Sequence, residues 1–472
     1  MPGWPISTTA TGHLRSPVLF DIDNDGYLEI IFGQQHNRTN GMVTVFRYDG
    51  SFYPGWPQIL DHSCVATPSV ADIDNNGIVE ICAVSSDSIY LWDKNGKLEE
   101  YWPRSQFKKG GDISYSQPTL ADLDNDGCPE ILVAYSEPSK DMKGFHQNHV
   151  GIFHYDGRPF IGWPQKYPGP QTFMCPVVGD VDEDDDLEIF NGGSVAGAPG
   201  FTGRHHTGEQ LEGLWPVRVD FAECSPIIYD IDSDKQQEIV IGDNVIEPSC
   251  HIYAFNSDGT IVEGWPICIS NGAASVNSLT VGDVDGDEDV ELGLVTSEGA
   301  VNLWTFENTT YRGYLTEWKT FFHDNWNTGW YHPKKPKWEQ IVSTSDHVIL
   351  RWRNNTEQDV LGYNIYRTSA DQNGFVKLNN RLIQDNVYVD ENVTSGDGYY
   401  YGLTAVAACD VESKMSDAEW VEVVENNPPC TPSRPDGPLF GRVDMEYVFS
   451  TSGVDPDGDD LFYMFDWGGL HK

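Results

Sequence analysis

One acidic segment recurs six times in the first two thirds of the chain, and this repetition limits the possible folds more than any other feature. Each copy opens with an aspartate-rich loop and continues into an apolar run, and the loops begin at Asp21, Asp72, Asp122, Asp180, Asp230 and Asp283. Successive loops are 51, 50, 58, 50 and 53 residues apart. This period indicates an array of one supersecondary unit, in which each unit buries its apolar face against its neighbours.

Two further motifs keep the same period. A Trp-Pro pair begins at Trp4, Trp56, Trp102, Trp163, Trp215 and Trp265. An Asp-Gly or Asn-Gly turn begins at Asp49, Asn95, Asp156 and Asp258. Runs such as Pro17–Phe20 and Met42–Tyr48 are rich in β-branched and aromatic residues and are bounded by turn formers, which predicts short strands.

About four strands per unit predict an all-β fold, a six-bladed β-propeller followed by β-sandwich modules. A seventh blade would require further sequence before Met1. A linear solenoid is the alternative architecture, which we disfavour because solenoid coils are usually shorter than these units.

Each acidic loop has the chemistry of a calcium site. In the first loop, side-chain oxygens stand at positions 1, 3, 5 and 9, position 7 offers a backbone carbonyl, and Gly26 at position 6 permits a sharp turn. Calcium binds about six to eight oxygens in flexible carboxylate loops, whereas magnesium demands a tighter octahedral cage. Acidic turns also occur without metal, because Asp and Asn favour turns. Their sixfold repetition favours several structural Ca²⁺ ions.

The predicted metal ligands occupy positions 1, 3, 5, 7 and 9 of the six loops: Asp21, Asp23, Asp25, Tyr27, Glu29, Asp72, Asp74, Asn76, Ile78, Glu80, Asp122, Asp124, Asp126, Cys128, Glu130, Asp180, Asp182, Asp184, Asp186, Glu188, Asp230, Asp232, Asp234, Gln236, Glu238, Asp283, Asp285, Asp287, Asp289 and Glu291. Loops four to six replace the glycine at position 6 with Asp185, Lys235 and Glu288. A left-handed turn at a non-glycine residue costs about 1 kcal/mol. We therefore expect these three loops to bind metal less readily, although loops four and six carry extra acid.

The pattern D-x-D/N-x-D/N-G-x-x-D/E before an apolar strand resembles the FG-GAP/VCBS repeat, the calcium-binding blade of integrin α-chains and many bacterial surface proteins. The resemblance covers residues 1 to about 310. It implies that calcium is structural, that the metal loops share one face of the ring, and that ligands bind the opposite face. The long step between loops three and four makes Tyr135–His149 the first place to look for a ligand, with Lys140, Phe145, His146 and His149 as weak candidates; a solvated insertion is the alternative.

The rest of the chain has a different pattern. We assign the propeller to residues 1–332, ending at an irregular aromatic segment, and a fibronectin type III-like sandwich to 336–425, with Trp352 as its buried tryptophan. Residues 426–437 form a Pro-rich linker, and 438–472 resemble a truncated PKD/Ig-like domain. Met1–Pro5 opens inside the Trp-Pro motif and has no signal peptide, so we expect a longer precursor.

Composition excludes several function classes. The chain has 29 Lys and Arg against 73 Asp and Glu, a net charge of −44, which opposes nucleic-acid binding. No apolar run has the ~18 residues of a membrane span. The nine cysteines lack zinc-site spacing, and hydrolase, metalloprotease and nucleotide motifs are absent.

These observations predict a non-enzymatic, secreted or cell-surface scaffold for binding or adhesion, stabilised by calcium and recognising an extracellular glycan or protein. One alternative is the non-catalytic C-terminal region of a secreted hydrolase such as a peptidase. Another is a propeller polysaccharide lyase or hydrolase, because distant carboxylates can meet at a central channel.

Overall fold

In a computed structural model of the chain, every regular element of the described part is a β-strand. The structure describes residues 4–8, 16–23, 25–37, 39–62, 66–105, 112–113, 117–138, 146–168, 174–193, 199–222, 224–234, 236–245, 250–269, 276–285, 289–296, 299–306, 309, 323, 330–331, 333–355, 360–369, 374–407, 412–424, 429–438, 440–442, 444–456 and 461–464. The chain divides into two compact units. The first contains Met1–Pro336, Asn354–Tyr363 and Thr404–Met415, and the second contains Lys337–Arg353, Asn364–Leu403 and Ser416–Lys472. The predicted domain boundaries stay predictions.

Six antiparallel sheets follow one another along the first unit. Sheet one is β1 (Val18–Phe20), β2 (Glu29–Gln35), β3 (Gly41–Phe46) and β4 (Gln58–Ile59), and sheet two is β5 (Ser69–Ala71), β6 (Glu80–Val84) and β7 (Ile89–Asp93). Sheet three is β8 (Asp112–Ile113), β9 (Thr119–Ala121), β10 (Glu130–Pro138), β11 (His146–Phe153) and β12 (Gln165–Lys166). Sheet four is β13 (Val177–Gly179), β14 (Glu188–Gly192) and β15 (Phe201–His205). Sheet five is β16 (Ile227–Tyr229), β17 (Glu238–Gly242), β18 (Cys250–Phe255) and β19 (Ile267–Ile269), and sheet six is β20 (Val276–Gly282), β21 (Val290–Thr296) and β22 (Val301–Phe306).

Every sheet repeats one plan. The strand that enters the acidic loop has three residues in sheets one to five, where in sheet three it is β9, and seven residues in sheet six. The next strand begins at or next to the glutamate at position 9 of that loop. The second strand then pairs with both the first and the third. All-β architecture and repeated small sheets are thus confirmed, whereas ring closure and the number of blades remain predictions.

The Trp-Pro motif attaches one sheet to the next. The indole N–H of Trp56 donates to the carbonyl of Lys94 at 2.8 Å, and those of Trp102, Trp163 and Trp215 reach Tyr155, His206 and Ser257 at 2.8, 2.7 and 2.7 Å. Each acceptor lies just before the Gly-containing turn of the following sheet. A Cβ on Gly55 would lie 1.7 Å from the Asn95 carbonyl oxygen, so only glycine permits this approach. The Trp-Pro motif of one sheet and the Gly-containing turn of the next therefore contact each other directly.

A second set of contacts joins the first strands of neighbouring sheets. Ser69 Oγ donates to the Pro118 carbonyl, Thr119 Oγ1 donates to the Pro176 carbonyl at 2.5 Å, and the Cys175 N–H donates to Ser225 Oγ at 3.2 Å. The buried apolar residues form three clusters, shared by sheets one to three, three to five, and five and six. Successive sheets therefore pack side by side, as blades do.

Two further sheets consist mostly of residues of the second unit. One contains β23 (Trp338–Ser343), β24 (Val348–Trp352) and β27 (Val387–Asp390), and the other orders β26 (Val376–Lys377), β25 (Gly362–Ser369), β28 (Gly398–Val406) and β29 (Glu419–Glu422). Trp352 is fully buried. Asp390, also buried, accepts hydrogen bonds from Tyr401 Oη at 2.9 Å and Arg367 Nη1 at 2.7 Å. The PKD/Ig-like interpretation of 438–472 stays a prediction, and none of the described residues forms a helix able to cross a bilayer.

Candidate metal-binding loops

The glutamate at position 9 is buried and makes the same backbone hydrogen bond in all six loops. It is at most 2% exposed, and one of its oxygens, Oε2, accepts the backbone N–H of position 2. The donor–acceptor distances run from 2.8 to 3.1 Å for the pairs Ile22–Glu29, Ile73–Glu80, Leu123–Glu130, Val181–Glu188, Ile231–Glu238 and Val284–Glu291. This bond closes each loop and turns the second carboxylate oxygen toward the other acidic side chains.

The aspartate at position 1 shapes the turn in the first three loops. Asp21 accepts the N–H groups of Asp25 and Gly26 at 3.1 and 2.8 Å. The equivalent bonds of Asp72 measure 2.9 and 2.7 Å, and those of Asp122 measure 3.1 and 2.8 Å. Position 5 accepts the N–H of position 7 at 2.8 to 3.0 Å in loops one to five. The backbone therefore holds these carboxylates at defined places.

Position 6 takes the left-handed conformation that the sequence predicts. Gly26, Gly77 and Gly127 have φ of +87°, +84° and +93°. In loop four, Asp185 adopts φ +73°, so this loop forms the turn without glycine. Residues 235 and 288 lie outside the described part of the chain, as does the predicted ligand Asp287.

The loops bring their acidic oxygens close together. One oxygen from each of Asp21, Asp23 and Glu29 lies within 4.8 Å of the others, and the same holds for Asp72, Asp74 and Glu80. Several loop oxygens are buried without a hydrogen-bond partner in the structure: Asp23 Oδ1, Asp74 Oδ1, Asp186 Oδ1, Glu188 Oε1, Glu238 Oε1 and Glu291 Oε1. Buried, unpaired acceptors are costly unless a cation satisfies them. The donor set of hard oxygens therefore fits Ca²⁺.

Electrostatics agree with this geometry. Burial, reinforced by the neighbouring aspartates, raises the pKa of Glu29 to about 7 and of Glu80, Glu130 and Glu238 to about 9. In loop four the same cause raises the pKa of Glu188 to about 10. The clustered carboxylates thus resist simultaneous ionisation unless positive charge is supplied.

Asp180 and Asp230 at position 1 are buried, whereas most of the remaining predicted ligands are more exposed. Asp25, Asp124, Asp126, Asp182, Asp184, Asp232, Asp234 and Asp285 are exposed, and Asp283, Asp186 and Asp289 are partly buried. Position 7 is occupied by Tyr27, which is 53% exposed and stacks on Tyr48 at 4.3 Å, by exposed Ile78 and Gln236, and by half-buried Cys128. The role of position 7 as a carbonyl ligand stays a prediction.

Sequence reasoning missed the histidines of loops three and four. His154 Nδ1 lies 3.0 Å from Glu130 Oε1, and His205 Nδ1 lies 3.4 Å from Glu188 Oε1. His206 Nδ1 lies 3.0 Å from Asp186 Oδ2. Strand register would have identified one of them, because His205 lies directly opposite Glu188 in the pairing of β14 with β15.

The weak ligand candidates lie at the far end of sheet three. His146 pairs with Pro138, and His149 stacks on Tyr135 with its Nδ1 3.0 Å from the Gln147 carbonyl oxygen. Both occur toward the end of the β10–β11 hairpin remote from loop three. Lys140 and Phe145 lie outside the described residues.

Comparison with known families accounts for most of the loops. A family model described as "FG-GAP-like repeat" matches residues 21–83, 72–133 and 230–294. The chain contains three FG-GAP-like repeats. The matched stretches include loops one, two, three, five and six, whereas loop four, with Asp185 in the glycine position, lies outside them.

Similarity to individual proteins is limited in extent. A stretch of 77 residues is 34% identical to amylopullulanase of Thermoanaerobacter thermohydrosulfuricus and covers 16% of this chain but 5% of that protein. Rhamnogalacturonan lyase YesW is similar over 87% of this chain and 73% of its own, with 11% identity and a TM-score of 0.41. An Fn3-like protein from Clostridium thermocellum is similar over 20% of this chain and 98% of its own, with 20% identity and a TM-score of 0.17.

Proposed function

We propose that the chain is a non-catalytic binding scaffold of an extracellular, carbohydrate-active protein, and that calcium stabilises its repeat unit. The observation that carries the proposal is the sixfold loop in which a buried glutamate accepts the loop backbone through one oxygen. Its second oxygen stands among further carboxylates. A bound divalent cation offsets the repulsion within a loop and part of the net charge of −44.

The residues that hold calcium in this proposal are the side chains at positions 1, 3, 5 and 9. In loop two these are Asp72, Asp74, Asn76 and Glu80, completed by a backbone carbonyl and water. Open, partly exposed loops of this kind match calcium sites of about 10⁻⁴–10⁻³ M affinity, which fill outside cells. An extracellular location follows from that affinity.

A glycan is the ligand we favour over a protein. The 34% identical stretch in amylopullulanase supports this choice, because that relative has the name of a polysaccharide-acting enzyme. We place the ligand at the edge opposite the metal loops, where the β10–β11 hairpin ends and His146 and His149 lie. In this proposal the loops act as structure and the opposite edge acts as the recognition surface.

The test measures calcium uptake and glycan binding together. Equilibrium dialysis in millimolar Ca²⁺ is expected to show several bound ions, and Asp72→Asn with Glu80→Gln is expected to bind one fewer. Glu212→Gln with Glu263→Gln, at two exposed residues outside the loops, is the matched control and leaves the number unchanged. Absence of uptake in the unaltered chain contradicts the proposal.

The glycan part needs its own measurement. Affinity electrophoresis on a panel of soluble polysaccharides is expected to show retardation that a chelator weakens, with no change in the polysaccharide itself. If the purified chain forms shortened or unsaturated products, it is an enzyme. That result would replace the scaffold proposal with the hypothesis of a polysaccharide lyase or hydrolase.

One observation favours a narrower version of this function. The matched stretch covers 5% of amylopullulanase, so in that relative it is a small part of a much larger protein. We infer that this chain can likewise be the accessory region of a secreted hydrolase. Sequencing the complete gene decides this version, since a neighbouring catalytic domain supports it and a complete gene without one excludes it.

A further inference from the structure

Among the described residues, loops three and four each receive a lysine from the segment that follows the last repeat. Lys334 Nζ contacts Asp122 Oδ2 and lies 2.9 Å from Asn125 Oδ1. Lys335 Nζ lies 3.1 Å from Asp185 Oδ1 and 4.0 Å from Asp180 Oδ2. Lys334 thus places its ammonium group at position 1 of loop three, whereas Lys335 places its own at position 6 of loop four, 4.0 Å from the position 1 carboxylate.

The lysines are held in place. Their side chains are 21% and 15% exposed. Upstream, Trp330 is buried and pairs with Leu120 of β9, and the Tyr331 N–H donates to the Leu120 carbonyl at 2.8 Å. Downstream, Asn355 Nδ2 donates to the Lys334 carbonyl at 2.8 Å. The segment is therefore anchored on both sides of the lysine pair.

Loop four shows a matching change in sequence. Its position 6 holds Asp185 instead of glycine, and this carboxylate is the nearer partner of Lys335. The left-handed φ of +73° at a non-glycine residue costs conformational energy, which the ion pair offsets. The family model does not reach this loop. The residue that departs from the calcium-loop pattern, Asp185, thus provides the carboxylate that pairs with the Lys335 ammonium group.

The other end of both loops is also engaged by nitrogen. His154 and His205 face the position 9 glutamates at 3.0 and 3.4 Å. An ammonium group has three donors and no acceptor, so at position 1 it uses the oxygen that a metal ion needs and repels that ion. Nitrogen groups of the chain therefore engage loop three at both ends, whereas in loop four Glu188 Oε1 makes no hydrogen bond and Asp185 carries the contact.

We propose that Lys334 and Lys335 are built-in cations that take the place of calcium in loops three and four, so that these loops stay metal-free while the others bind calcium. This inference rests on the calcium binding proposed above. The lysine pair also has a second role in this proposal. Its ion pairs attach the segment after the last repeat to the third and fourth sheets of the first unit.

The test counts calcium ions in the full chain. Equilibrium dialysis with elemental analysis in saturating Ca²⁺ is expected to give at most four ions, and Lys334→Met with Lys335→Met is expected to give two more. The matched control, Lys166→Met with Lys377→Met, changes net charge equally at two exposed lysines and keeps the original count. Lys334→Arg with Lys335→Arg retains both charges and is also expected to keep it.

The outcomes separate this inference from the proposed function. Six ions in the unaltered chain, or no gain in the methionine variant, overturn the inference and leave calcium binding intact. No ions in either protein remove the proposed function itself. If the methionine variant folds only in calcium, its melting in chelator and in Ca²⁺ supplies the second readout: calcium is expected to restore it, and failure of calcium to do so overturns the inference.

Discussion

At the scale of single residues, the position 9 glutamate combines burial with an incomplete set of partners. In loop two, Glu80 accepts the Ile73 N–H through Oε2 at 2.8 Å, and burial raises its pKa to about 9. Such a group is protonated in metal-free protein at neutral pH and becomes a carboxylate when a cation binds. Proton and metal therefore compete for the same oxygen.

This competition predicts that calcium uptake releases protons. Glu80 and Glu238, each with a pKa of about 9, are expected to lose about one proton per bound ion at pH 7, and affinity is expected to rise as pH increases from 6 to 9. Calorimetry in two buffers of different ionisation enthalpy measures the release. Identical heats in both buffers contradict the prediction.

Without metal, the stability of the protein is expected to change with pH in the opposite direction to the calcium affinity. The folded-state pKa of Glu80 and Glu238 lies above the ordinary value of 4.5, so the folded state binds more protons than the unfolded state between pH 5 and 9. The free energy of unfolding of metal-free protein is therefore expected to fall as pH rises through that window. Urea denaturation in chelator at several pH values measures this free energy and checks independently that the glutamates bind protons in the metal-free folded state.

The turn at position 6 yields a second prediction. Gly26 has φ +87° with no atom within 4 Å of an added Cβ, so Gly26→Ala tests backbone strain alone. We expect a loss of about 1 kcal/mol in the free energy of unfolding in calcium. Gly282→Ala in β20 has equal space without a positive φ and is expected to be neutral or mildly stabilising. Equal effects in urea melts of the two variants contradict the strained turn.

At the scale of elements, the repeated indole-to-turn bond connects each sheet to the next. Trp56 meets the turn of sheet two through one hydrogen bond at 2.8 Å and through the close approach of Gly55 to Asn95. The bond recurs at four further tryptophans. Such a contact stabilises the array because one unit alone cannot bury its face.

Removing one such bond is expected to destabilise the repeat unit. Trp56→Phe keeps an aromatic ring but loses the donor to the Lys94 carbonyl, and we expect a loss of about 1–2 kcal/mol. Trp420→Phe in the second unit changes the same residue type at a side chain that is 45% exposed, and it is expected to leave the repeat transition unchanged. Chemical denaturation followed by circular dichroism measures both; a Trp56 variant as stable as the control contradicts the role of the bond.

The sequence was informative wherever local pattern decides the structure. The strands beginning at or beside Glu29, Glu80, Glu130 and Glu188 follow from β-branched runs bounded by turn residues, and Gly26 was identified from its place in the loop. Loop four takes its left-handed turn at Asp185, beside Lys335, and its reduced metal binding stays a prediction. Nothing within loop four shows that partner, which comes from 150 residues away in the chain.

The histidines show a different limit. His205 stands opposite Glu188 only after strand register is known, and a one-residue slip would turn it to the other face. Lys334 and Lys335 follow the last repeat and carry no periodic signal. Contacts of this kind depend on how six sheets pack, which the spacing of the loops alone does not fix.

At the scale of the whole molecule, the two units differ in what stabilises them. The first carries the clustered acidic loops, whereas the second contains the buried Asp390, which Arg367 and Tyr401 satisfy with protein donors at 2.7 and 2.9 Å. In our proposal the first unit therefore needs external cations, whereas in the second unit Arg367 provides the positive charge that Asp390 requires. The second unit is an internal reference for any effect of metal.

Calcium removal is therefore expected to act on one unit. An ion that binds only the folded state adds RT ln(1 + [L]/Kd), about 2.7 kcal/mol per site when free calcium exceeds Kd about 100-fold. Several occupied loops together are expected to lower the melting transition of the first unit by ten degrees or more in chelator, roughly scaled from 2–4 °C per kcal/mol for large domains. The transition of the second unit is expected to stay in place, since Asp390 needs no metal. Differential scanning calorimetry in Ca²⁺, Mg²⁺ and chelator resolves the two transitions. A shift of both units would show a general ionic effect, whereas a shift of the first unit by Ca²⁺ alone requires selective sites in the acidic loops.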